Sequence, residues 1–453
     1  MNTLFLPELR EMLQTNDVAG LEEFCTALHP ARTAEFMEGL DPPESWAVLR
    51  ATDLQHRTSI FGFLDKEKQG QILESGDPQE LSELITDMPS DDRVDLINHV
   101  QPETAEAILR LIPADQRRDI MRLRQHPEGT AGSVMTTEVA TLPENLTVVE
   151  ALREIGRLAK DLETIYYIYI VDDENHLRGL VSARQLMTRL GKPDTKLSDF
   201  MERDLVTVEV ADDQENVAGK VADFDFLAIP VVDHEQHLLG IITHDDVIDV
   251  LREEAEEDAY RAAAVAPLQD TYLQTSFLQL AWKRGIWLII LFAASLLTTF
   301  ALRSYESEID KITWLVFFIP LIMSSGGNTG GQSATLIIRA LANNDITLAD
   351  ARRVILRELQ TGLALGSVLA VLAFIAGLML IEGPTTQELM VIPLALVVVV
   401  LYGTLLGATL PLVFRRLGLD EALMSTPFVT VLVDIGGIVI YMTVAMKMIA
   451  ELS

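Results

Sequence analysis

The chain has 453 residues, 49% of them hydrophobic, and a formal net charge of −32 at pH 7. Such an acidic protein repels nucleic acid and anionic lipid surfaces, and its single cysteine excludes an intrachain disulfide framework. Residues 1–260 contain 54 acidic and 23 basic residues, whereas residues 261–453 contain 13 acidic and 12 basic residues. We therefore expect the first half to lie in water and the second to lie in a membrane.

Residues 1–130 are predicted to form an acidic, all-α domain built of helical hairpins that resemble a solenoid. Short amphipathic segments alternate with proline turns, for example at Pro89 and Pro113, and each turn carries a helix-start signature. The first residues lack a basic region followed by an apolar core, so we expect no cleaved signal peptide and a cytoplasmic location. Asp91, Asp92 and Asp95 lie early in one helix, where acids by themselves favour the helix dipole without any ligand.

Residues 131–251 contain an internal repeat. The segment from Val171 to Val181 matches the segment from Val232 to Ile242 at an offset of 61 residues. Each copy is predicted to continue as strand, turn, strand and helix, with the helices at 182–190 and 243–251. This pattern resembles a tandem pair of α/β CBS domains, which usually sense adenine nucleotides or ions.

The two copies differ at the positions that would hold a nucleotide. Thr243 and Asp246 match the pattern of a hydroxyl with an acid three residues later, whereas Ser182 and Gln185 do not. A cluster of acids in the second copy supplies oxygen ligands that suit magnesium or calcium, so we favour a metal and leave ATP as the alternative. This cluster consists of Asp223, Asp225, Asp245, Asp246 and Asp249.

Residues 252–283 are predicted to form a connecting helix. The run begins with five acids within Arg252–Asp258 and reaches Trp282 beside two basic residues at the expected membrane surface. Taken alone, such a run is typical of a solvated helix face. Its position before the membrane segments favours coupling between a sensor and a transmembrane part.

Residues 284–453 are predicted to form a bundle of five transmembrane helices. An odd number of spans places the termini on opposite sides, and the excess of arginine in alternate loops places the N-terminus in the cytoplasm and the C-terminus outside. The expected spans are Gly285–Leu302, Ile312–Ile338, Thr361–Ile381, Val391–Phe414 and Ala422–Met446.

The second span has an unusual polar middle, PLIMSSGGNTGGQS, which starts at Pro320. A broken helix is tolerated in a membrane only inside protein or along a cavity, where free carbonyls and the Asn328 amide would replace the hydration shell of an ion. The alternative is that the glycines allow close helix packing.

The fifth span carries one acid, Asp434, near its centre. An aspartate there costs roughly 2.5–3.5 kcal/mol on insertion, so a bound cation or water must offset it. Helical spacing places Pro427, Thr430, Gly437 and Tyr441 on the same face, which indicates a pore. In the alternative interpretation, Asp434 only ties two helices together.

These motifs together resemble the MgtE family of magnesium channels over essentially the whole chain. The resemblance is carried by Thr130-Ala131-Gly132, by Gly326-Gly327-Asn328 and by the segment from Pro427 to Asp434. It implies a homodimer in the cell's inner membrane that moves Mg²⁺ passively inward, with no enzyme activity. It also implies that Asp434 and the Thr430 carbonyl hold a hydrated Mg²⁺ in a pore that Gly327, Asn328, Pro427 and Gly437 line.

The same resemblance implies that cytosolic Mg²⁺ closes the channel by binding acids of the soluble domains and the connecting helix. Two alternatives remain open: a transporter of Mn²⁺ or Co²⁺, and a CBS sensor anchored in the membrane that does not conduct. The implied regulatory ligands are Asp91, Asp95, Asp225, Asp246, Asp249, Glu254, Glu257 and Asp420.

Overall fold

The chain forms two compact units, Met1–Arg252 and Glu253–Ser453. The computed structural model describes residues 4–159, 162–268, 272–273, 275–343, 345–381, 385–420 and 425–449. The start of the span predicted from Ala422 and the C-terminal residue Ser453 lie outside these ranges.

Short helices fill the first part of unit 1, as the proline turns predicted. Aspartates cap several of them: Asp53 accepts from the His56 amide, and Asp77 accepts from the Gln79 amide. From α3 onward each helix packs on the helix two places ahead, which is the contact pattern of a solenoid. These helices are α1 (Leu6–Thr15), α2 (Val18–Ala27), α3 (Pro30–Met37), α4 (Pro42–Leu49), α5 (Leu54–Gly62), α6 (Lys66–Ser75), α7 (Pro78–Asp87), α8 (Ser90–His99), α9 (Pro102–Leu111) and α10 (Ala114–Leu123).

Two small sheets of the same design follow. In each, the first strand runs parallel to the second, and the second runs antiparallel to the third. The second and third strands of the two sheets are offset by 61 residues, as the sequence repeat predicted. The elements are β1 (Thr141–Pro143), α11 (Val148–Leu158), β2 (Tyr167–Val171), β3 (Leu177–Ser182), α12 (Ala183–Thr188), β4 (Val208–Glu209), α13 (Gln214–Phe224), β5 (Ala228–Val232), β6 (Leu238–Thr243) and α14 (His244–Ala262).

The connecting helix differs from its prediction. Helix α14 does not stop at Leu251 but continues to Ala262, and Ala264 then adopts a left-handed conformation with φ of 56°. A new helix begins at Phe277, where Ser276 and Gln279 form a capping box. The prediction of one helix over 252–283 is therefore wrong, because a left-handed turn ends α14 and a separate cap starts the next helix.

After the end of α14, the described residues of unit 2 form five long α-helices and one short one. Four of the long helices are long and apolar enough to cross a membrane, and in the described residues these are α15, α18, α19 and α20. Helix α17 spans 29 residues, but with its polar middle it lacks an apolar stretch as long as those of the other four. The bounds are α15 (Phe277–Arg303), α16 (Glu306–Lys311), α17 (Trp314–Ala342), α18 (Ala351–Leu380), α19 (Thr386–Arg416) and α20 (Thr426–Met448).

Helix α17 is continuous, so the predicted break in the second span is wrong. Its glycines serve packing, which was the alternative interpretation. A Cβ atom added at Gly403 of α19 would lie 2.5 Å from the carbonyl oxygen of Gly326, and one added at Gly327 would lie 2.7 Å from Cγ2 of Thr430. The glycines of α17 are thus covered by α19 on one side and α20 on the other, because they let the backbones approach.

We expect Gly403→Ala to lower the stability of the membrane unit by about 1–3 kcal/mol, since the new methyl group meets backbone that cannot swing away. The measurement is the midpoint of thermal unfolding of the full chain in detergent. Gly285→Ala in α15 is the matched control, because an added Cβ there has nothing within 4 Å. Equal midpoints for the two variants would contradict the packing role of Gly403.

Candidate ion-binding sites

Asp434 lies near the middle of α20, on its partly exposed side. Its Oδ1 atom is buried and has no hydrogen-bond partner among the described residues. The interpretation that Asp434 only ties two helices together would require such a partner. A buried carboxylate oxygen without a donor is costly in a membrane, so the geometry favours a cation or its water shell there.

The neighbours of Asp434 on α20 divide into two groups. Gly437 and Tyr441 are buried: Gly437 packs against Met323, and the Tyr441 hydroxyl donates to the Leu315 carbonyl at 3.0 Å. The prediction that Gly437 lines the pore is therefore not supported within this chain, because neighbouring helices cover that position. Thr430 and Pro427 stay partly exposed, one and two turns before Asp434.

Helix α17 adds polar side chains to the exposed side. Asn328 is exposed and its amide donates to the Ser324 hydroxyl at 3.4 Å. Thr335 Oγ1 lies 3.4 Å from Thr426 Oγ1, so the polar strips of α17 and α20 meet. Gly327 is buried against Thr430 and exposes no surface of its own. Polar side chains on the outer surface of membrane-spanning helices indicate that this surface contacts protein or water in place of lipid.

A second acidic site lies within unit 1. A cavity of about 1020 Å³ separates α5 and α8 from the start of α14, and its lining contains six acids besides Asp87. Three of these, Asp91, Asp246 and Asp249, were predicted as regulatory ligands. The six are Asp91, Asp92, Glu163, Asp245, Asp246 and Asp249.

The cavity acids repel one another. Burial, followed by the charge of Asp246, raises the pKa of Asp91 well above its usual range. Burial, followed again by the charge of Asp246, raises the pKa of Glu163 to about 7. Burial also raises the pKa of Asp92 and of Asp246 to about 6, with a nearby aspartate adding to each shift. Nothing in the described cavity offsets these charges enough to hold the pKa values down.

Two buried carboxylate oxygens line the cavity. Asp91 Oδ1 and Glu163 Oε2 are buried without a hydrogen-bond partner in the part of the chain described. Helix capping alone therefore does not account for Asp91. Sequence reasoning missed Glu163, because it follows α11 in a loop and no local pattern marks it.

Two other predicted ligands lie elsewhere. Asp95 does not line the cavity and instead accepts from Lys66 Nζ at 3.2 Å. Asp225 is the left-handed C-terminal residue of α13, with φ of 53°, and does not line the cavity either. In the described ranges, no three His, Cys, Asp or Glu side chains converge closely enough to hold a bare metal ion.

The last group of predicted ligands lies within unit 2. Arg261 of α14 donates to Glu257 on the same helix and to Asp420, which follows α19. Burial, followed by the charge of Asp420, raises the pKa of the neighbouring Asp258. The structure thus brings Glu257 and Asp420 together, with a guanidinium between them.

Comparison with known proteins identifies each part of the chain. Residues 319–444 match a family model described as the MgtE divalent cation transporter. Residues 28–129 match the MgtE intracellular N domain, and 131–192 and 197–253 match CBS domains. The CBS repeat and the helical N-terminal domain predicted from the sequence are confirmed.

Relatives match most of the chain. A magnesium transporter MgtE of Thermus thermophilus is 37% identical over 440 residues, which cover 96% of this chain and 97% of the relative. One from Enterococcus faecalis is 37% identical over 72% of this chain and 71% of its own length. A crystal structure of the cytosolic domain of the Mg²⁺ channel MgtE in complex with ATP is 34% identical, with a TM-score of 0.51, and covers 53% of this chain and 98% of that structure.

We expect the cavity acids to make unit 1 less stable as the pH rises. Their folded pKa values are raised, so protonation favours the folded state, and stability is lost as the pH climbs from the ordinary carboxyl pKa of about 4 to the folded values of about 6 to 7. Without divalent ions, the thermal midpoint of the full chain should therefore be higher at about pH 5 than at about pH 8. Millimolar Mg²⁺ at the higher pH should restore it.

The matched test is the double variant Asp91→Asn, Glu163→Gln, which keeps the size of both side chains. It should lose most of the dependence on both pH and Mg²⁺. A midpoint that falls on acidification in the wild-type chain would contradict this account of the cavity.

Proposed function

The chain belongs to the MgtE family of magnesium transporters, and on that premise we propose that it moves Mg²⁺ passively across the membrane along a path that contains Asp434. The observation that carries this proposal is the buried, partnerless carboxylate oxygen in the middle of α20. Mg²⁺ gives up its water reluctantly, so a single carboxylate and nearby carbonyls, such as that of Thr430, would bind it through its shell.

The path needs a second copy of the chain. A twofold axis beside α20 would bring two Asp434 carboxylates to one ion and cover the polar strips of α17 and α20. The cytosolic half carries matching apolar positions: Met187 and Ile248, which are equivalent in the repeat, are 60% and 54% exposed. Leu190 and Leu251 are equivalent and exposed as well. These features support a homodimer.

Cytosolic Mg²⁺ closes the channel through the acidic cavity. The closed arrangement holds Asp91 of α8 near Asp246 of α14, and their repulsion is relieved when a cation is bound or a carboxyl group is protonated. An ion that binds this arrangement more tightly than an open one shifts the equilibrium towards closure. The orphaned oxygens of Asp91 and Glu163 support this assignment.

The CBS pair is also a candidate for ATP. Thr243 Oγ1 donates to Asp245 at 2.6 Å and also bonds the carboxylate of Asp246. In the first copy, Ser182 and Gln185 form a helix capping box instead. The ATP-bound relative supports a nucleotide role for the second copy, where Asp246 would serve both ATP and the acidic cavity.

The protein spans the membrane several times. We place it in the inner membrane with the acidic unit in the cytoplasm and the C-terminus outside, because the loops at Arg284, Arg339, Arg353 and Arg415 are basic. The family is one of transporters, and we assign no catalytic residue. Transport of Mn²⁺ or Co²⁺ is the second candidate, and flux competition in liposomes separates the ions. A sensor that does not conduct would pass no Mg²⁺ in the same assay.

We expect Asp434→Asn to reduce Mg²⁺ flux into liposomes by more than about tenfold, because the amide keeps the size but loses the charge that attracts a dication. Asp434→Ala should be at least as inactive. The mass of each purified variant should remain that of the wild-type dimer. Asp310→Asn, on exposed α16, is the control and should conduct normally. Robust flux through Asp434→Asn would remove Asp434 from the path.

We expect Asp91→Asn combined with Asp246→Asn to raise the cytosolic Mg²⁺ concentration needed for half-closure by about tenfold, within the usual range of coupling between sites. The measurement is Mg²⁺ current in excised patches with the cytosolic face in the bath. Asp194→Asn, an exposed acid outside the cavity, should leave closure unchanged. Normal closure in the double variant would count against the cavity as the regulatory site.

A further inference from the structure

Arg261 lies one residue before the end of α14 and bonds two acids from different segments. One terminal nitrogen donates to Glu257, one turn earlier on α14, and the other donates to Asp420. The three side chains are 33%, 35% and 37% exposed, so the pairs are partly shielded from solvent. A guanidinium fork of fixed shape suits two carboxylates at once.

These contacts join two segments with different tasks. Helix α14 comes directly from the second sheet of the cytosolic unit. Asp420 lies between α19 and α20, and α20 carries Asp434. Arg261 therefore ties the end of α14 to the segment that leads into the helix with the pore carboxylate.

The surroundings of Arg261 are strongly negative. Glu254, Glu257 and Asp258 lie on α14, and Asp420 is bonded to Arg261. The Arg261 guanidinium bonds two of these four carboxylates, and its charge lowers the raised pKa of Asp258. A divalent cation placed among these acids would compete directly with Arg261 for Glu257 and Asp420.

We propose that Arg261 is a built-in cation that competes with Mg²⁺ for Glu257 and Asp420 and holds part of the closed arrangement together when cytosolic Mg²⁺ is low. The proposal rests on the Mg²⁺ gating described above and adds a component that does not depend on the ion. Two consequences follow. Arg261 lowers the open fraction of the channel at zero Mg²⁺. It also lowers the ratio of the current at zero Mg²⁺ to the current at saturating Mg²⁺, since the ion must displace a cation already present.

The test compares Arg261→Gln with Asp420→Asn in excised patches, with the cytosolic face exposed either to no Mg²⁺ or to a saturating concentration. Both variants should raise the current at zero Mg²⁺, by about fivefold in Arg261→Gln, which loses two partly exposed ion pairs, and by less in Asp420→Asn, which loses one. The ratio of the current at zero Mg²⁺ to the current at saturating Mg²⁺ should then distinguish the two variants. This ratio should be larger than in the wild-type chain for Arg261→Gln, where the acids are freed for Mg²⁺. It should be smaller for Asp420→Asn, where a ligand is lost.

Arg110→Gln is the matched control, because Arg110 also bonds a glutamate one turn earlier on its helix, Glu106 of α9, and neither residue lines the acidic cavity. It should change neither reading. An unchanged current at zero Mg²⁺ in Arg261→Gln would overturn the tether, that is, the role of Arg261 in holding the closed arrangement together without Mg²⁺. A ratio that shrinks in Arg261→Gln, as in Asp420→Asn, would show that Arg261 only supports the site and would overturn the competition.

A wild-type channel that ignores cytosolic Mg²⁺ would overturn the proposed gating and the competition together. The current at zero Mg²⁺ would still decide the tether in that case, because the tether needs no ion.

Discussion

Buried carboxylate groups without a positively charged or hydrogen-bonding partner are the constraint on which this structure depends. Asp91 and Glu163 in unit 1 and Asp434 in unit 2 each have a buried oxygen that no described residue satisfies. Burying such a group costs free energy unless something offsets it. A bound cation would offset that cost, and this is the physical basis of the Mg²⁺ sites proposed at these atoms.

The membrane unit can place Asp434 beside a polar strip because its helices approach closely. Gly326 and Gly330 of α17 meet Gly403 and Gly407 of α19, while Gly327 meets Thr430 of α20. Backbone contact of this kind keeps α17 continuous, so its carbonyls remain inside the helix and side chains provide the polar surface. A hydrated ion needs this kind of surface, since its first shell of water is not stripped away.

The acidic groups differ in how their charge is offset, and the difference suits their roles. The cavity acids face one another with raised pKa values, so their arrangement depends strongly on a bound cation or on protons. Glu257 and Asp420 hold a guanidinium that belongs to the chain, so their arrangement is less dependent on an ion. A closed state assembled from both kinds of contact would respond to Mg²⁺ without relying on it entirely.

The sequence by itself determined the division into an acidic half and an apolar half, the repeat at an offset of 61 and the position of Asp434 in its span. These features are local, because composition, periodicity and the spacing of matching motifs are written along the chain. The tertiary structure alone decided which acids share a site. Acids are so frequent before Tyr260 that no local signal separates Asp91 from Asp95, or marks Glu163, and Arg261 carried no signal at all. Whether the glycines of α17 break the helix or pack it was equally undecided, because glycine both weakens a helix and admits a neighbour, and only the position of α19 and α20 shows which effect prevails.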